Sequence, residues 1–112
     1  MCTKSQLEAI EEEMVNYYRS VYGDSIDTII LYGSYARGDY SDDSDIDITA
    51  IVRGNRVELQ KKLKKMWDFS TEVGLAYDVI VSPTVIPYDE FEQYKEKLPY
   101  YRNIVKEGRK IE

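Results

Sequence analysis

The segment DIDITAIV, residues 45–52, leaves few folds open. Asp45, Asp47 and Thr49 alternate with Ile46, Ile48 and Ala50, a period of two that sends the two sets to opposite sides of a β-strand. The apolar side needs a packed layer against it, so the chain must build a sheet covered by something else. The other side carries two carboxylates about two residue rises apart. Like charges held that close raise each other's cost of ionisation unless a cation sits between them.

The neighbouring segments supply the rest of a sheet and its cover. DTIILYG, 27–33, is a β-rich apolar run ended by Gly33, and LAYDVIVS, 75–82, is expected to form a third strand. SQLEAIEEEMVNYYRSVYG, 5–23, spaces Leu7, Ile10, Met14, Tyr17 and Val21 as one helical stripe, with Ser5 and Glu8 in a capping-box arrangement and Gly23 as a stop. A second helix starts at Asn55, with Glu58 three residues on, and is expected to end at about Val73 with Gly74 as its stop. Lys61, Lys62, Lys64 and Lys65 form its solvated face. YDEFEQYKEKL and PYYRNIVKEG predict two short helices, the second opened by Pro99 and closed by Gly108. The order α-β-β-α-β-α-α predicts an α+β fold of the α/β kind: a mixed β-sheet packed against helices. With 112 residues and neither repeat nor Pro/Gly/Ser linker, it reads as one domain over 1–112.

Charge and composition remove several functions. A formal net charge of −6 repels nucleic-acid phosphates, so no nucleic-acid partner is expected. With no His there is no imidazole acid, base or zinc ligand, and Cys2, the sole cysteine, has no disulfide partner within the chain. The start, MCTKSQLEAIEEEM, is acidic without an apolar core, and no run approaches membrane-spanning length. A cytoplasmic protein with no membrane partner is expected.

Five aspartates crowd residues 39–47, which restricts the chemistry further. GSYARG, 33–38, has the glycine frame of a phosphate-binding P-loop, but Asp39 and Tyr40 stand where Lys and Ser/Thr must follow. An EF-hand calcium loop begun at Asp43 fails at Ile48, its sixth position, and at Gly54, its twelfth. Asp39, Asp42 and Asp43 suit a solvated turn. Asp45 and Asp47 do not, and a divalent metal would relieve their repulsion; Mg²⁺ prefers carboxylate oxygens and completes its octahedron with water and substrate phosphate. Asp78, in the apolar run around YDVIV, is expected to be a third ligand on a neighbouring strand. Gly33 and Gly38 let backbone approach a ligand, and the amides of Ser34 to Ala36 at a helix start would face an anion, with Ser34 placed to hydrogen-bond a phosphate. Arg37 is either a phosphate contact or a structural partner of one of the aspartates.

GSYARG followed by SDIDI resembles the signature of the nucleotidyltransferase superfamily that includes DNA polymerase beta, and most closely its minimal nucleotidyltransferases, in which Gly-Ser-x-Ala-Arg-Gly precedes Ser-Asp-x-Asp. The match covers Gly33, Ser34, Ala36, Arg37, Gly38, Ser44, Asp45 and Asp47, with Asp78 corresponding to the third acidic residue. The resemblance implies transfer of a nucleoside monophosphate, AMP from ATP, to an acceptor hydroxyl with pyrophosphate leaving. Asp45, Asp47 and Asp78 would then be the catalytic and metal-holding residues for two Mg²⁺ ions, and Gly33, Ser34, Arg37, Gly38 and Ser44 the nucleotide-binding ones. It further implies a partner: such proteins pair with HEPN ribonuclease toxins as antitoxins, and the acceptor would be a hydroxyl, a tyrosine by expectation, on that toxin. The alternative is a non-catalytic antitoxin that acts by covering its partner's active site. A transferase acting on a small molecule is disfavoured by chain length. The eleven tyrosines suit a protein interface as well as a core.

Overall fold

The computed structural model describes residues 3–112; Cys2 lies outside them. Helix α1 spans Lys4–Tyr22, strand β1 Ile26–Tyr32, the one-turn helix α2 Ser34–Arg37, and β2 Ile46–Val52. Helix α3 follows at Arg56–Tyr77, then β3 at Val81–Pro87, α4 at Tyr88–Tyr94, α5 at Pro99–Glu107 and the short β4 at Arg109–Lys110. The strands form one mixed sheet in the order β3-β2-β1-β4. β1 is antiparallel to β2 and to β4, whereas β2 and β3 are parallel because α3 carries the chain back between them. No helix among the described residues is long and apolar enough to cross a membrane.

The two sides of β2 bury different partners. Ile46, Ile48 and Ala50 join Ile29 and Leu31 of β1 beneath α1 and α3, where Ile10, Met14, Tyr18, Leu63 and Met66 complete the main core. Ile51, with Ile30 and Ile86, meets Phe91, Tyr101 and Ile104 of α4 and α5 in a smaller core on the opposite face. Each fully buried aliphatic side chain contributes roughly 1.5 to 3 kcal/mol. Tyr18 reaches through the main core to donate its hydroxyl to the carbonyls of Ile48, at 3.2 Å, and Thr84, at 2.8 Å.

Three boundaries differ from expectation. The capping box of α1 is made by Thr3 and Gln6, two residues before the expected Ser5 and Glu8: the Thr3 amide donates to the Gln6 side-chain oxygen and the Gln6 amide to the Thr3 hydroxyl. Helix α3 begins as expected, with Asn55 accepting from the Val57 and Glu58 amides, but it does not stop at Gly74. It continues to Tyr77 and ends on Asp78, a left-handed C-cap at φ 56°. Gly74 serves a different need: a β-carbon there would lie 2.5 Å from the Val79 carbonyl oxygen, where the chain folds back over the helix. The third strand is consequently 81–87, not 75–82. The lysines of α3 are exposed as expected, Pro99 and Gly108 bracket α5, and β4 was not foreseen.

Candidate active site

The C-terminal end of β1 and the N-terminal ends of β2 and β3 meet at one margin of the sheet. Tyr32 stands opposite Asp47, and Asp47 opposite Ser82. Asp45 lies one residue before β2 and is exposed; Asp47, inside the strand, is half-buried. Burial, and then the charge of Asp45, raises the Asp47 carboxyl above the ordinary carboxylate range, and the Arg37 charge pulls it back only in part. The structure therefore brings Asp45 and Asp47 together on one face as a pair in electrostatic conflict.

The turn after β1 is shaped around this pair. Gly33 sits at φ 74° and ψ −157°, a conformation essentially confined to glycine. A β-carbon on it would come within 2.5 Å of Asp47 Oδ2. Its missing side chain is thus the space that the Asp47 carboxylate occupies. The next four residues form α2, which Gly38 ends in the left-handed conformation with its amide donating to the Ser34 carbonyl at 2.9 Å. Nothing lies within 4 Å of a β-carbon at Gly38, so only its dihedrals require glycine.

The other anticipated residues occupy distinct places. Ser34 opens α2 directly after Gly33. Arg37 binds Asp39 at 3.2 Å and Glu107 at 3.1 Å, tying α2 to the end of α5 while its charge still reaches Asp47. Ser44 closes the acidic turn, its hydroxyl accepting from the Ser41 amide at 2.9 Å. Asp78 is not on a strand beside Asp45 and Asp47; it is an exposed helix cap, and no group of three metal-ligating side chains occurs among the described residues. Position 82, which does face Asp47 across the β2–β3 ladder, is a serine. The donor set at this margin is two carboxylates, which fits Mg²⁺ as an ion completed by water and phosphate oxygens rather than caged by protein.

Sequence reasoning overlooked Tyr32. Its hydroxyl lies 2.9 Å from that of Tyr100 on α5, and the two rings meet edge to face. Its place at the strand end immediately before Gly33 was the available signal, but the β2 residue it faces, Asp47, is set by a register that the sequence does not specify.

A sheet margin with paired carboxylates, entered through a glycine turn, defines a class, and comparison with known proteins agrees: the chain belongs to the nucleotidyltransferase domain family, whose description matches residues 8–111. A relative from Methanocaldococcus jannaschii that carries the provisional name protein adenylyltransferase is 37% identical over 98 residues, covering 88% of this chain and 90% of its own. A second from the same organism, similarly named, is 32% identical and covers 79% of this chain and 96% of its own. Among solved structures, a chain of a toxin–antitoxin crystal structure with AMP-PNP matches with a TM-score of 0.56 at 18% identity, over 89% of this chain and 70% of that one. A chain of a tri-AMPylated Shewanella oneidensis HEPN toxin in complex with MNT antitoxin gives 0.52 at 16% identity, over 92% and 69%. At those identities the likeness concerns the fold.

Proposed function

We propose that this nucleotidyltransferase is a Mg²⁺-dependent protein adenylyltransferase that moves AMP from ATP to a tyrosine hydroxyl on a HEPN-type toxin in the cytoplasm, and so acts as its antitoxin. The observation that carries the reading is the Asp45–Asp47 pair set against the Gly33–Ser34 turn. The names of the archaeal relatives and the toxin–antitoxin assemblies that share the fold support the acceptor class. The net charge of −6 argues against a nucleic-acid acceptor.

In this reading Asp45 and Asp47 hold the Mg²⁺, two ions by expectation, which when bound neutralises charge on the attacking and leaving oxygens. Ser34 and the turn's amides grip the terminal phosphates, and Gly33 keeps the Asp47 carboxylate in place. Arg37, anchored by Asp39 and Glu107, offsets negative charge beside the pair, and Ser44 holds the acidic turn in shape. Positioning and charge compensation suffice for such a transfer; no protein nucleophile is needed.

Labelled ATP and Mg²⁺, with and without the candidate toxin, test this. Label is expected on the toxin and is expected to vanish on chelation. A second reading has its own support: the missing third carboxylate favours an antitoxin that binds without modifying. A toxin inhibited yet unlabelled with every nucleotide and metal tried would establish it.

A further inference from the structure

The tyrosines separate by what their hydroxyls do. Those of Tyr18 and Tyr22 are buried and donate to main-chain carbonyls. Tyr101 donates to Glu90, and Tyr35 is buried with its ring stacked on Tyr40 at 4.2 Å. Tyr100 differs from all of these. It is 48% exposed, and its hydroxyl contacts Tyr32, the residue opposite Asp47 in the β1–β2 register. Tyr32, like Asp47, belongs to the face of the sheet that α4 and α5 pack against, and both residues remain partly exposed. A phenol of the chain itself, on a half-exposed residue, therefore stands one hydrogen bond from the residue paired with Asp47, at the margin where an acceptor hydroxyl must arrive.

We propose that Tyr100 is itself an acceptor, and that the protein transfers AMP to its own Tyr100 hydroxyl when no partner fills the site. This rests on the transferase reading above. The Tyr100 phenolic oxygen bonds to the α-phosphorus of ATP as the bond from that phosphorus to the α,β-bridging oxygen breaks. Pyrophosphate leaves with the electron pair, and the phenolic proton passes to water. The product is a phosphodiester that keeps an AMP group at the N-terminal turn of α5.

The full chain is incubated alone with ATP and Mg²⁺, and its intact mass is followed. The expected result is the gain of one AMP group, mapped to Tyr100 by peptide sequencing, at a fractional rate independent of protein concentration, as an intramolecular step requires. Tyr100→Phe should abolish the gain and Tyr40→Phe should retain it; mapping on the unsubstituted chain decides the site even if a variant folds poorly. A preparation that labels its partner but never itself overturns self-transfer and leaves the transferase reading standing. AMP found on another residue also overturns it, and a protein that labels neither itself nor its partner removes both readings.

Discussion

Gly33 answers to two constraints at once, a backbone conformation that excludes side chains and the bulk of the Asp47 carboxylate. Gly33→Ala should destabilise the fold by about 1 to 3 kcal/mol from the backbone alone, measurable in a denaturant titration, and should displace Asp47 as well. Transfer is expected to fall by more than the stability change explains, because in the proposed reaction the Asp47 carboxylate holds the metal. Asp47 itself predicts an unusual stability profile. In the metal-free protein its carboxyl is raised by burial and by Asp45, so the folded state binds that proton more tightly than the unfolded state does. Stability contributed by this group falls as pH rises through the raised value and is recovered as pH falls back through it. Asp47→Asn should therefore melt higher than the parent at neutral pH, with the gap closing under acid conditions. A variant that melts lower at neutral pH would mean that the carboxylate has a structural partner. Asp45 and Asp47 were legible as a pair from alternation with isoleucine, whereas the clash that demands Gly33 depends on strand pairing that only the folded sheet provides.

At the scale of elements, the end of α3 decides what Asp78 does. The run LAYDVIVS has strand-like composition, yet its first residues continue α3, leaving Leu75 80% exposed, and the strand starts only after the left-handed cap. Local propensity favoured the wrong element because Gly74 was taken as a stop, when its role is to admit the Val79 carbonyl. Asp78→Gly tests the consequence. Removing a side chain from a left-handed residue should stabilise the protein by up to about 1 kcal/mol, with transfer unchanged within about twofold; one kcal/mol corresponds to roughly fivefold in an equilibrium constant. A large loss of transfer would restore Asp78 as a ligand. Of the caps read from side-chain chemistry, Asn55, Pro99 and Gly108 lie where expected, whereas the capping box of α1 falls at Thr3 and Gln6.

For the whole molecule, the sheet has one fully covered face and one covered in part. α1 and α3 bury the first; α4 and α5 pack on Ile30, Ile51 and Ile86 of the second, where Asp47 stays only half-buried. The mixed sheet packed against helices was legible from periodicity, since alternation and helical stripes report which sides are buried. The division of the second face was not, because it depends on where two short C-terminal helices dock, and neither has a sequence signal for its address. In the proposed reaction, ATP and an acceptor hydroxyl meet the carboxylate pair at this half-buried end of the face. The measurement that tests this most directly is the transfer rate to the partner for Asp45→Asn and Asp47→Asn, recorded beside thermal melts of the same preparations. Transfer is expected to fall by about 10²-fold or more in each, the scale set by losing a preorganised electrostatic group, with melting midpoints equal to or above the parent's. Transfer close to the parent rate in either folded variant would contradict the account.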